Sequence, residues 1–285
     1  MNTGFSRYRH AFITTFQRIP LHVFLIAISI FFIFPFFWMF TASFKTQSEL
    51  LGSAQRLLPS AITFENYQFA FGTVPLMRNL FNSFFIAISY MLLALFFTSI
   101  GGFAFAKYEF PGRNVLFVLL LATMMVPQAV GIVPSFILMK AFGWINTYYA
   151  VIIPGTAHAF GIFFMRQYIK GVNDELLDAG RIDGCSDFQL YYRIVLPVIK
   201  PALVTLAIVD FFGAWNSYLW PLIVLRSLDM YTAVLAITAF PAPQFRPPWG
   251  AIMAGTTVSV LPLIILFLLL QRYFVSGLMS GSVRG

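Results

Sequence analysis

Five of the ten acidic residues lie between Asp174 and Asp187, and the residues around them have the order of a short helical hairpin. Asn173 suits a helix N-cap, and Asp174 and Glu175 follow in the first turn, where the helix dipole favours anions. Leu176, Leu177, Ala179 and Ile182 carry that helix forward, and Gly184 is its natural C-terminal stop. Ser186 and Gln189 have capping-box spacing for a second helix, and Pro197 and Pro201 mark the exit. The chemistry on offer is recognition. A plain connector lying on the membrane is the simplest role for such a hairpin. Against it, Asp178, Asp183 and Asp187 would be repelled by an anionic inner leaflet. The small pair Ala179-Gly180 beside those charges suits close docking of another protein.

Catalytic chemistry is poorly supplied. His10, His22 and His158 are far apart in the sequence, and Cys185 is the only cysteine, so no metal centre and no internal disulfide are expected. No G-x-x-x-x-G-K-[ST] nucleotide loop occurs, and no nucleophile–base constellation is visible. The remaining candidates are polar residues inside apolar runs. Asp210 is costly there unless paired or wetted. Gly213 and Ser217 share its helical face, with Asn216 beside them. Gln128 sits between Pro127 and Gly131, and Trp215 offers an aromatic face on which a sugar ring could stack. Gln128, Asp210, Trp215 and Asn216 are the candidates for a translocation pathway, with packing inside the helix bundle as the competing role for each. His158 is expected to be satisfied between helices.

The elements that position these residues follow from composition. Of 285 residues, 59% are apolar and 10% charged; a water-soluble domain carries about 25% charged residues. So few charges cannot cover a water-facing surface, and the expected solvent is lipid. Apolar runs of about 20 residues mark membrane spans, and six are predicted: 21–41, 80–106, 114–139, 148–165, 202–225 and 251–270. The first run is too long for a signal-peptide core and lacks a small-residue cleavage site, so it is expected to remain as an anchor. The net charge of +8 comes from 18 Lys and Arg scattered singly between the runs, which points to topology and not to nucleic acid. With both termini on one side, that side holds twelve of the 18, which predicts cytoplasmic termini and an external location for 44–79 and for the Pro-rich stretch 226–250.

One motif is specific. Asp178-Ala179-Gly180, three residues, Gly184, nine residues, then Ile194-Val195-Leu196-Pro197 resembles the EAA loop of ABC importer permeases, Glu-Ala-Ala, three residues, Gly, nine residues, Ile-x-Leu-Pro. Arg181-Ile182-Asp183-Gly184-Cys185 is similar to that family's Arg-Ile-Asp-Gly-Ala. Asp178, Gly180 and Cys185 depart from the pattern, and Gly180 in particular is expected to loosen the first helix, by roughly 1 kcal/mol. Elsewhere Phe34 to Met39 with Ser43-Phe44-Lys45, Glu65-Asn66-Tyr67, Asn82-Ser83, Trp215-Asn216 with Leu219 to Leu222, and the tail from Gly277 to Gly285 resemble the carbohydrate branch in the same order.

The resemblance implies an all-α polytopic membrane protein of MetI-like architecture, the second permease of a maltose-type importer in the bacterial cytoplasmic membrane. It implies that the hairpin 173–197 couples to a cytoplasmic ABC ATPase dimer through Asp178, Ala179, Gly180, Asp183, Gly184, Ile194, Leu196 and Pro197. It implies a second permease as heterodimer partner and an extracytoplasmic solute-binding protein. The chain itself would be non-catalytic and hold no cofactor, ATP and Mg being bound by the ATPase. The alternatives are a permease for a polyol phosphate or polyamine, or a secondary transporter. The last would need a coupling site among paired repeats, and only Asp210 qualifies.

Overall fold

The computed structural model describes residues 3–52, 56–241 and 247–280, with side chains described between 19 and 269 within those stretches. All regular structure among them is helical. Helix α1 (Thr3–Ala42) is followed by α2 (Gln47–Gly52) and α3 (Glu65–Thr73). The long α4 (Leu76–Lys107) leads to α5 (Arg113–Thr123), α6 (Gln128–Ala141), α7 (Tyr148–Ile152) and α8 (Ala159–Lys170). A hairpin of α9 (Asp174–Ile182), α10 (Asp187–Gln189), a π-helical turn (Leu190–Val195) and α11 (Leu196–Val198) delivers the chain to α12 (Lys200–Trp215). Then come α13 (Leu219–Val224), a 3-10 turn (Leu228–Met230), α14 (Ala233–Thr238) and α15 (Trp249–Ser280). The core of the Pro-rich stretch, 242–246, and the end of the tail, 281–285, lie outside the described residues.

The chain forms two compact units. In the first, made of 1–70 and 241–257, two sequence motifs form one knot. The side-chain amide of Asn66 donates to the carbonyls of Ser43 (2.9 Å) and Lys45 (2.7 Å), and Ser43 Oγ lies 2.8 Å from the Tyr67 hydroxyl. Lys45 is buried, donates to the Arg56 carbonyl and lies over the Trp38 ring at 4.2 Å. Glu49 accepts from Ser60 N at 2.8 Å. In contrast, every residue of α1 from 19 to 37 is exposed. An apolar helix with no buried face is suited to lipid or another chain.

In the second unit, 71–240 and 258–285, α4 is the spine against which α8 and α12 pack. Small residues permit the α4–α8 crossing. A Cβ at Gly102 would lie 2.6 Å from Met165 Cβ, and one at Gly161 would lie 2.6 Å from Thr98 Cγ2. Close backbone approach at small residues is how helices associate where lipid removes the hydrophobic driving force. At the far end of α4, Asn79 and Asn82 donate to the carbonyls of Leu228, Asp229 and Tyr231, and Ser83 Oγ accepts from Ala233 N. These bonds satisfy the irregular backbone after α13, which would otherwise be costly away from water.

The helices divide the apolar runs differently from the predicted spans. Among the described residues, three are long and apolar enough to cross a membrane alone: 19–42 of α1, α4, and 249–269 of α15. Counting each bent helix pair as one crossing gives five. The predicted span 114–139 is α5 and α6 meeting at 100°, broken before Pro127, which has no N–H to continue a helix. The predicted span 148–165 is broken at 153–158, where Pro154 precedes Gly155 at φ +84°. The run 202–225 is interrupted at 216–218, between α12 and α13. Hydropathy averages over these breaks and so does not register them.

Candidate functional site

The hairpin 173–199 is built from local signals. The Asn173 side chain accepts from Glu175 N at 3.1 Å and caps α9. Beyond Asp183 the chain turns at Gly184, φ +81°. Gly184 N donates to Arg181 O (3.0 Å) and Cys185 N to Gly180 O (2.9 Å), the paired bonds of a Schellman stop. Ser186 and Gln189 form a reciprocal capping box: Ser186 N donates to Gln189 Oε1 at 2.8 Å, and Gln189 N to Ser186 Oγ at 3.4 Å.

Its two arms pack on one another at Gly180. That residue is buried, and a Cβ there would lie 2.7 Å from both Ile194 Cδ1 and Leu190 Cδ2. Gly180 is therefore an inward contact point, which corrects its expected place in an outward small-residue patch. Without a side chain it lets Leu190 and Ile194 close against α9. Ile194 and Leu196 are half-buried on the same core, and Pro197 is exposed.

The hairpin is also fastened to the bundle. Leu177, Leu190, Tyr191 and Val195 join Phe103, Met165, Ile169 and Leu206 in one buried cluster. The Tyr191 hydroxyl lies 2.7 Å from Ser99 Oγ within that core. Lys107 Nζ pairs with Asp174 at 2.6 Å, and the Tyr108 hydroxyl donates to Asp187 at 2.7 Å. The Tyr108 pKa is pushed up to about 12, first by burial and then by that carboxylate. Arg181 pairs with Asp178 at 2.7 Å, and this bond raises the guanidinium pKa further.

What these bonds leave outward is specific. Ile182 is 87% exposed, with Leu176, Ala179, Asp178, Asp183 and Gly184 around it. Asp183 makes no ion pair among the described residues. An apolar tip ringed by carboxylates, held on a fixed mount, can dock in a cleft bearing apolar and basic groups.

The pathway candidates separate. Gln128 is exposed at the start of α6, and Asn216 is exposed at the end of α12. Trp215 is 1% exposed, edge-on to Phe84 at 4.8 Å and stacked on Phe211 at 5.8 Å, so its face is occupied by packing. Asp210 is buried, and its Oδ1 lies 3.1 Å from His158 Nε2. Gly213, expected on the same inward face, is exposed. The His158–Asp210 contact was not legible in sequence, since the residues lie on separate helices and share no periodic signal.

Residues 98–280 match the family described as binding-protein-dependent transport system inner membrane component. The chain is 38% identical over 280 residues to the arabinooligosaccharides transport system permease protein AraQ of Bacillus subtilis (strain 168), covering 97% of this chain and 99% of AraQ. It is 35% identical over 252 residues to the lactose transport system permease protein LacG of Rhizobium radiobacter, covering 88% and 91% of the two. The crystal structure of a bacterial ABC transporter involved in import of the acidic polysaccharide alginate contains a chain with the same fold, at a TM-score of 0.79 and 23% identity, covering 91% of this chain and 97% of that one. With the EAA-type hairpin set on a helical membrane bundle, these matches establish that the chain belongs to the inner-membrane permease family of ATP-binding-cassette importers.

Proposed function

We propose that the chain is one of two permeases that together pass a sugar or oligosaccharide through the bacterial cytoplasmic membrane. A separate ATPase dimer drives transport, and an external binding protein delivers the solute. The sugar assignment rests on the substrates named for AraQ and LacG. The observation that carries the coupling role is the mounted hairpin with its exposed tip at Ile182. Asp178, Ala179, Asp183 and Gly184 meet the ATPase, while Gly180, Ile194, Leu196 and Pro197 set the hairpin's shape. Gln128 and Asn216 are the exposed polar groups offered to the pathway. ATP and Mg bind on the partner, since this sequence has no nucleotide loop.

The twelve-to-six distribution of basic residues supports a topology with the termini and hairpin inside. Reporters fused near Leu57 and Phe240 are expected to read as external, and one near Asp183 as cytoplasmic. A cytoplasmic signal at Leu57 reverses the topology. In liposomes, the purified chain alone is expected neither to hydrolyse ATP nor to move solute. Adding the second permease, the ATPase and the binding protein is expected to give solute-stimulated hydrolysis. A panel of arabinooligosaccharides, lactose, a polyol phosphate and a polyamine identifies the solute class. Stimulation by the polyol phosphate or polyamine alone removes the sugar assignment, and uptake by the isolated chain favours a secondary transporter.

A further inference from the structure

The His158–Asp210 pair has no part in the hairpin or in an exposed pathway, yet it is placed to serve the coupling function. α8 enters the hairpin and α12 leaves it, and both pack chiefly on α4. Near the hairpin they are joined through Met165, Ile169, Ala202 and Leu206. At the other end, among the described residues, the single close polar contact between α8 and α12 is Asp210 Oδ1 with His158 Nε2 at 3.1 Å, an approach without hydrogen-bond alignment. His158 is the N-cap of α8. Its Nδ1 accepts from Gly161 N at 3.0 Å, which fixes the ring with Nε2 on the side of Asp210. The link is about 18 Å along α8 from Lys170 and about 15 Å along α12 from Lys200, at 1.5 Å per residue.

The pair adjoins the break at 153–158. The turn at Gly155 is held from α4, where the Tyr90 hydroxyl donates to Gly155 O at 3.1 Å. Stability alone is a weak reason for such a pair. Asp210 is 5% exposed, and its Oδ2 has no hydrogen-bond partner among the described residues. A buried carboxylate with half its acceptor capacity unfilled costs more than an apolar side chain of similar size. Its use is geometric. With the helices joined by the apolar cluster near the hairpin and in close polar contact at the other end, displacement of the hairpin is passed along both of them to that contact.

We infer that the His158–Asp210 pair is a positioning link that makes α8, the hairpin and α12 one lever, delivering hairpin motion to the break at 153–158. The inference rests on the permease function proposed above, and its test separates the two. The reconstituted complex is compared in three forms. They are the unsubstituted chain, an unlinked variant (His158→Asn with Asp210→Leu) and a swapped variant (His158→Asp with Asp210→His). Asn and Asp both cap helices well, so α8 keeps its cap in each.

The unlinked variant is expected to assemble at normal abundance with unchanged basal hydrolysis, while solute moved per ATP falls by about fivefold, the lower range of inter-site coupling. The swapped variant is expected to recover to within about twofold of the unsubstituted chain. Unchanged coupling in the unlinked variant overturns the inference. So does an unlinked chain that fails to accumulate, or a swapped chain that accumulates uncoupled. If the unsubstituted complex shows no solute-stimulated hydrolysis, the permease reading fails first. Amide exchange of the full chain in nanodiscs then decides the link. Faster exchange at 153–158 in the unlinked variant, reversed by the swap, supports it, and equal exchange in all three refutes it.

Discussion

With leucine at position 102, the protein is expected to disappear from the membrane fraction. A Cβ at Gly102 would lie 2.6 Å from Met165 Cβ, 2.8 Å from Arg166 N and 3.0 Å from Met165 C. Two of these three atoms are backbone atoms of α8, so no rotamer change relieves the contact. α8 must move away from α4 as a body. That movement opens the cluster in which Phe103, Met165 and Ile169 meet Leu177 and Tyr191 of the hairpin. Overpacking typically costs about 1–3 kcal/mol and sometimes more, which is a large share of a marginal stability. Gly101→Ala is the control, because its Cβ meets only the Ile162 side chain, at 3.2 Å, which can shift. Immunoblots of membranes, with melting of the solubilised protein, measure the contrast. Equal abundance and melting for Gly102→Leu and Gly101→Ala would mean that α4 and α8 do not cross this closely.

The hairpin was readable in sequence because its determinants are local. Asn173, Gly184, Ser186 and Gln189 each act within a few residues, and the structure shows the cap, the positive φ and the capping box where those residue types place them. Long-range geometry was not readable. Gly180 was expected to weaken a helix, whereas its meaning lies ten and fourteen residues on, at Leu190 and Ile194. The motifs around Lys45 and Asn66 looked like separate fragments and form a single knot. Pro127 was visible as a proline inside an apolar run. Hydropathy sums side chains and ignores the missing N–H, so it does not register the 100° bend. Trp215 offered a stacking face, and only the positions of Phe84 and Phe211 show that face to be filled.

Gly184→Asp is expected to leave the protein at normal abundance and abolish transport. At φ +81° any L residue is strained, by about 1–2 kcal/mol for a left-handed conformation, with aspartate among the better-tolerated types. A Cβ there meets nothing within 4 Å, so no core packing is lost and the bundle stands. The damage is confined to the turn. The Schellman bonds from Gly184 N and Cys185 N fix how Ile182 and Asp183 are presented, and a strained turn presents them differently. The new carboxylate also adds charge between Asp183 and Asp187. A loss of about 2 kcal/mol at a docking surface reduces the docked population roughly thirtyfold.

Asp178→Lys tests the same surface by another route. It replaces the 2.7 Å pair with Arg181 by like charges on an exposed face, where the structural cost is small, and it reverses a charge on the proposed docking surface. Both variants are expected to keep the ATPase's own hydrolysis while losing its stimulation by solute and binding protein. The cysteine at 185 gives a direct readout. Crosslinking it to cysteines placed in the ATPase cleft is expected to give a yield that depends on nucleotide and drops in both variants. Normal transport by Gly184→Asp, together with no crosslink from Cys185 at any cleft position, would leave the hairpin as a connector, and the coupling role would belong to another part of the cytoplasmic face.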